Sequence, residues 1–167
     1  LMTAKTLQMS EALHAYLLAN SLRETPVQRA LRAATSRMPR ATMQIAPEQG
    51  TFMTLLARAI GAKRAVEVGT FTGYSSLCIA RGLPDDGTLL CCDISEEWTQ
   101  IGRRFWEKAG IAHKIELKIG PALETLRALP EQEVFDLAFI DADKPGYASY
   151  YEEILTRMRP NGLILVD

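Results

Sequence analysis

From Arg64 onward, short apolar runs alternate with segments long enough to form amphipathic helices, and few folds satisfy that pattern. It is the mark of repeated strand-helix-strand units, which assemble as a parallel sheet with helices on its faces. The runs 65–68, 88–92, 115–119, 135–140 and 163–166 are too short for helices and rich in Val, Ile, Leu or Phe, so five strands are expected. The intervening segments 73–83, 96–109, 122–129 and 147–159 read as crossover helices, the last closed by Pro160-Asn161-Gly162. The expected fold class is α/β, a doubly wound and mostly parallel sheet.

Helical spacing dominates before residue 63. Leu13, Leu17 and Leu18 share a face, and a Thr25-Pro26 start signal leads into Val27, Ala30 and Leu31. A third helix opens at Pro47-Glu48, and its Phe52, Leu55, Leu56, Ala59 and Ile60 recur at helical spacing up to Gly61. That stripe is expected to lie against the sheet. No linker, repeat or acidic tail interrupts the 167 residues, so they read as one domain, with helices in 1–62 and the core in 63–167.

Nineteen basic and twenty acidic side chains leave a net charge of -1, without the basic excess that binding to a phosphate backbone requires. No nucleic-acid partner is expected. No apolar run approaches the ~18 residues that cross a bilayer, and no charged region precedes an apolar signal core. The expected location is therefore cytoplasmic, without a membrane. Cys78, Cys91 and Cys92 have neither disulfide nor zinc spacing and are expected as buried small hydrophobes. His14 and His113 are expected at the surface, and Trp98, Trp106, Tyr150 and Tyr151 as helix residues packing on the sheet.

The stretch from Arg64 to Ser76 is the most informative, a strand that ends in Glu67-Val68-Gly69 and turns at Gly73 into a helix. In an open parallel sheet, this first turn is where a nucleotide-like ligand sits. Two glycines also occur in ordinary strand-to-helix turns, so the reading needs support from elsewhere. Asp93 provides it, placed at the end of the second strand where a carboxylate can accept both ribose hydroxyl protons. A dinucleotide loop needs G-x-G-x-x-G, and this chain puts Phe71 at the second glycine. Glu67 would repel a pyrophosphate and attract a cationic amino-acid group, which favours S-adenosylmethionine over a dinucleotide.

Glu67-Val-Gly-Thr-Phe-Thr-Gly-Tyr-Ser75, Cys92-Asp93, Gly120-Pro-Ala-Leu-Glu124 and Ile140-Asp-Ala-Asp-Lys144 resemble the bacterial and plant caffeoyl-CoA O-methyltransferase family. The resemblance extends to Ser21-Leu-Arg-Glu24 and to Met43-Gln-Ile-Ala-Pro-Glu-Gln-Gly50, which is similar to a segment folded over the cofactor. It implies a Rossmann-like class I S-adenosylmethionine methyltransferase and a homodimer. Carried over by position, it places Glu67, Gly69, Thr70 and Ser75 around the methionine moiety. It puts Asp93 on the ribose, Ala122 at the adenine and the Ile45 backbone on the cofactor, with Phe71 and Tyr74 as walls.

The fourth strand ends in Asp141-Ala142-Asp143-Lys144, three charges at the rim that receives the first two strand ends. A solvated loop with acidic residues at a helix start has the same composition. The resemblance instead implies that Asp141 and Asp167 are metal ligands, that Asp143 contacts the cofactor, and that Lys144 takes or stabilises the proton of a phenol. The implied cation is Mg²⁺, with Mn²⁺ or Ca²⁺ as alternatives, and the implied acceptor is a small catechol or hydroxycinnamoyl-type molecule. A metal would lower the phenol pKa from ~10 and depress that of Lys144 by like-charge repulsion.

The family continues past the position of Asp167 with an asparagine ligand, a substrate loop and two more strands. A protein ending at Asp167 is therefore expected to lack the last two strands, to self-associate through 163–166, and to be marginally stable and weakly catalytic. The competing readings are an NAD-dependent oxidoreductase on a similar sheet and a non-catalytic cofactor-binding remnant.

Overall fold

The computed structural model describes residues 8–132 and 134–167. Three helices come first: α1 (Glu11–Ser21), α2 (Pro26–Thr35) and α3 (Pro47–Ala59). Strands and helices then alternate: β1 (Arg64–Val68), α4 (Tyr74–Gly82), β2 (Thr88–Asp93), α5 (Glu96–Lys108), β3 (Ile115–Ile119), α6 (Ala122–Ala128), β4 (Phe135–Ile140), α7 (Tyr147–Leu155) and β5 (Met158–Val166). The five strands form one sheet in the order β3-β2-β1-β4-β5, with every pair parallel. The expected α/β fold is thus the observed one, and β5 forms an edge of the described sheet.

Alternation along each strand sends side chains to two cores. Ala65, Leu89, Cys91, Leu137 and Phe139 face α3, α4 and α5, while Val66, Val68, Leu90, Cys92, Ala138 and Ile140 face α6 and α7. All three cysteines are buried and free. No helix of the described residues is long and apolar enough to cross a membrane.

Two expectations need correction. The apolar stripe of α3 is not its buried face, since Phe52 and Leu55 are 56% and 60% exposed while Gly50, Met53 and Ala57 are buried. α3 packs on α4 so closely that a Cβ on Gly50 would lie 2.7 Å from Cys78 Sγ. Gly50 and Ala57 of α3 and Gly82 of α4 form the closest approach, and Phe52 and Leu55 lie outward. The last crossover helix also stops at Leu155, four residues early, and β5 begins at Met158 rather than 163. The Arg157 carbonyl accepts from both Val134 and Phe135 N–H, and Arg157 Nη2 donates to the Leu129 carbonyl. These bonds end the helix and start the strand before the turn at Asn161, whose φ is 64°.

The sheet places its ligands by register. Val68 lies opposite Cys92 on one side and Ile140 on the other, and Ile140 lies opposite Val166. The ladder runs one residue further, through Gly69 N–H to the Cys92 carbonyl (2.9 Å), Asp141 N–H to Val68 (2.8 Å) and Asp167 N–H to Ile140 (3.1 Å). Asp93 therefore closes β2, and Gly69, Asp141 and Asp167 follow β1, β4 and β5, at the carboxyl ends of four adjacent strands. The order reverses between β1 and β4, and a cleft opens at that switch point.

Candidate active site

A cleft of about 580 Å³ lies across this rim. Its floor is the turn between β1 and α4, in which Gly69 (φ 92°), Phe71 (φ 50°) and Gly73 (φ 80°) are all left-handed. Such a turn needs outside support, especially at Phe71, where a side chain disfavours that conformation. Asp93 supplies it. Its Oδ2 accepts from Thr70 N–H and Phe71 N–H, each at 2.8 Å, and its Oδ1 accepts from Ser95 N–H at 2.8 Å. Asp93 thus ties β2 to the turn while still lining the cleft, and Oδ1 keeps a free lone pair for a ligand hydroxyl.

Glu67 is placed differently from the sequence expectation. It is fully buried and lies beneath the floor rather than among the residues that line the cleft. Its Oε2 accepts from Thr70 Oγ1 at 3.0 Å and from Ser76 Oγ, and its Oε1 has no hydrogen-bond partner. Burial pushes this carboxyl above its ordinary value near 4.5, against the lowering by the Ser75, Ser76 and Thr70 hydroxyls. An acid raised in this way binds its proton more tightly folded than unfolded. Its contribution to stability is therefore full below the unfolded pKa and is lost as pH rises through the folded one. Glu67→Gln should flatten this slope, so that thermal unfolding measured at increasing pH shows the variant gaining on the wild type. A parallel decline in both proteins would contradict the assignment.

The other residues singled out in the sequence converge on the cleft. Gly69, Thr70, Phe71, Tyr74, Ser75, Ile45 and Ala122 all line it, as do Asp141, Asp143 and Lys144. Asp143 is already engaged, accepting from Tyr150 Oη at 2.5 Å and Gly146 N–H at 3.1 Å, and so capping a short 3-10 turn over Lys144–Gly146. Lys144 Nζ donates to Tyr147 Oη at 2.8 Å and to the Asp167 carbonyl at 2.6 Å. Its ammonium is held above its ordinary value, first by the Tyr147 hydroxyl and then by the charges of Asp141 and Asp167. The expected depression presupposed a neighbouring dication. Here the surroundings are acidic, which reverses the sign.

Asp141 is pushed upward, first by burial and then by the negative charge of Asp167, with Lys144 acting in the opposite direction. Two carboxylates that repel each other at adjoining strand ends are a donor set that a hard divalent ion would relieve. Among the described residues, no group of three or more His, Cys, Asp or Glu side chains converges as a metal site. Asp141 and Asp167 could offer two carboxylates to such an ion, whose remaining positions would go to water or substrate oxygens.

Several cleft residues were invisible in the sequence pattern. Trp98, expected on the sheet, stands edge-on to Phe71 at 5.2 Å, and the Arg40 guanidinium sits 5.6 Å over its ring. All three line the cleft. Helical spacing assigns Trp98 to α5 but cannot say that it lies at the turn's edge. Glu24, at the end of Ser21-Leu-Arg-Glu24, is the acceptor for Tyr74 Oη at 2.6 Å and for Arg32 Nε at 2.8 Å. His14 is half-exposed and meets Glu48 Oε1 at 3.0 Å, and His113 is exposed as expected.

Comparison with known proteins agrees with this geometry. A sequence model described as O-methyltransferase matches residues 19–167. The chain is 41% identical over 169 residues to caffeoyl-CoA O-methyltransferase 2 of Zea mays, an alignment covering 98% of this chain and 64% of that protein. It spans about two thirds of the length of the curated relatives it matches. Among solved structures, the O-methyltransferase TomG of Streptomyces achromogenes, in complex with SAM, superposes with a TM-score of 0.85 at 30% identity, covering 95% of this chain and 74% of TomG. The SAH-bound methyltransferase PaMTH1 of Podospora anserina gives a TM-score of 0.88 at 31% identity, covering 99% and 73%. These matches leave no place for the dinucleotide reading, and with the family model spanning nearly the whole chain they establish that it belongs to the O-methyltransferase family.

Proposed function

We propose that this chain is an S-adenosylmethionine-dependent, divalent-cation-dependent O-methyltransferase acting on one of two vicinal hydroxyls of a small catechol or hydroxycinnamoyl-type molecule. The observation that carries the reading is the alignment of Gly69, Asp93, Asp141 and Asp167 at four adjacent strand ends, the first three of them lining one cleft and Asp167 standing beside it on the next strand. Cofactor functions fall on the β1 and β2 ends, and acceptor functions on the β4 and β5 ends. The methyl donor and the nucleophile therefore meet over β1 and β4.

In this reading Asp93 Oδ1 accepts from the ribose, Ala122 borders the adenine, and Ile45 contributes its backbone. The Gly69-Thr70 backbone and Ser75 hold the methionine portion. Glu67 acts from below through the hydroxyls it bonds. Asp143 acts mainly by fixing the 3-10 turn that carries Lys144. Asp141 and Asp167 would hold a divalent cation, which would lower the pKa of a chelated phenol so that its proton is released to solvent and its oxygen stays in place. Lys144 presents a positive charge to the developing phenolate. The phenolate oxygen attacks the sulfonium methyl in line, the carbon-sulfur bond breaks as the carbon-oxygen bond forms, and S-adenosylhomocysteine leaves as a neutral thioether. No covalent enzyme intermediate is needed, so the chain's contribution is orientation and charge.

The test is methyl transfer from S-adenosylmethionine to a catechol by the protein in the presence of Mg²⁺. Asp141→Asn should lower turnover by about a hundredfold or more while S-adenosylhomocysteine affinity stays within about threefold. Lys144→Ala should lower kcat by about ten- to a hundredfold. Full turnover in excess chelator would remove the cation from this account. Cofactor binding without turnover on any vicinal diol would favour a non-catalytic role.

A further inference from the structure

We propose that Thr35, the last residue of α2, is a positioning residue for the cofactor turn, acting through Thr72. The inference rests on the S-adenosylmethionine reading of the cleft. Thr72 sits between two left-handed residues, Phe71 and Gly73, so its own placement sets the direction of the turn. Its neighbours are fixed by other elements: Phe71 N–H by Asp93, and the Gly73 carbonyl by Trp106 Nε1 at 3.0 Å. Among the described residues the Thr72 hydroxyl is fixed by α2 alone, with Thr35 Oγ1 2.8 Å from Thr72 Oγ1. Both side chains are completely buried.

Proton accounting gives the bond a direction. Thr35 Oγ1 donates its only proton to the Leu31 carbonyl at 3.0 Å. With Thr72 as donor to Thr35, both hydroxyl protons of the pair have an acceptor, which the opposite direction does not achieve among the described residues. Without that acceptor the Thr72 proton would be buried with nothing to receive it, and the turn would have to shift to reach another partner. On the opposite side, a Cβ on Gly102 of α5 would come within 3.0 Å of the Thr72 carbonyl oxygen, so the turn is clamped between α2 and α5.

The docking of α2 does not depend on Thr35. A capping box between Thr25 and Gln28 starts the helix, Gln28 Nε2 donates to Cys78 Sγ at 3.2 Å, and Leu31 is fully buried. Removing one hydroxyl at position 35 should leave α2 in place and loosen only the turn. The N-terminal helices are then part of the cofactor site rather than an appendage to it.

Calorimetric titration with S-adenosylhomocysteine tests the proposal. Thr35→Val keeps the side-chain shape and should weaken binding by about three- to tenfold, while Thr35→Ser restores it. Thr35→Cys, similar in volume and a poor acceptor, is read in the same way if the valine variant does not fold. Combining Thr35→Val with Thr72→Val should cost no more affinity than Thr72→Val alone, because both remove the same bond. Ile154→Val, in the core on the other face of the sheet, should lower Tm without changing affinity. Wild-type affinity in Thr35→Val, failure of serine to rescue, or fully additive losses would each overturn the role of Thr35. Absence of binding by the wild type would instead overturn the reading of the cleft on which it rests.

Discussion

Gly69→Ala is expected to be among the most damaging single substitutions in this chain. A Cβ at this position would fall inside the Asp141 carbonyl group, 2.6 Å from its carbon and 3.0 Å from Ala142 N. These are backbone atoms of the neighbouring strand end, so no side-chain rotation relieves the overlap. The φ of 92° adds a conformation that alanine resists. Relief requires β1 and β4 to part at their carboxyl ends, where the cofactor and acceptor functions meet. The expected loss of stability exceeds about 3 kcal/mol, seen as a fall in Tm of about 10 °C, with loss of S-adenosylhomocysteine binding. A folded Gly69→Ala protein with wild-type affinity would show that the strand ends are less constrained than their register implies.

Asp93→Ala ranks next, because one carboxylate performs two tasks. It orphans the amides of Thr70, Phe71 and Ser95, which releases a turn holding a non-glycine residue at φ 50°. It also removes the acceptor assigned to the ribose. Together these should weaken S-adenosylhomocysteine by about a hundredfold and lower stability by about 2 kcal/mol. Asp93→Asn separates the tasks. The amide oxygen can still accept from Thr70 and Phe71 but the NH2 cannot accept from Ser95, so Tm should fall by less than in Asp93→Ala, while the ribose contact weakens. Equal losses of stability in the two variants, measured by thermal unfolding, would contradict this division.

The parallel sheet was legible because its strands are buried on both faces and therefore read as continuous apolar runs, such as 135–140. The rim was legible as well, since Asp93, Asp141 and Asp167 each follow such a run directly. Packing against other elements left a weaker trace. The α3 stripe misled because the seam with α4 selects small residues, whereas a hydrophobic pattern weights Phe52 and Leu55. The end of α7 was obscured because Arg157, a good helix former by composition, uses its carbonyl and its guanidinium in long-range bonds. Trp98 and Arg40 meet across some 58 positions of sequence, a relation that no local pattern encodes. Glu67 was assigned a direct electrostatic role from its charge and position. The inward-facing side of β1 gives it hydroxyl partners below the floor instead.

The central claim is that one cleft, built on the aligned ends of β2, β1 and β4, holds S-adenosylmethionine. Titration of S-adenosylhomocysteine into the wild-type protein and into Asp93→Ala tests it most directly. The account predicts one saturable site per chain in the wild type, competed by S-adenosylmethionine, and a loss of about a hundredfold in the variant. No binding by the wild type at millimolar ligand, or undiminished affinity in Asp93→Ala, would contradict it.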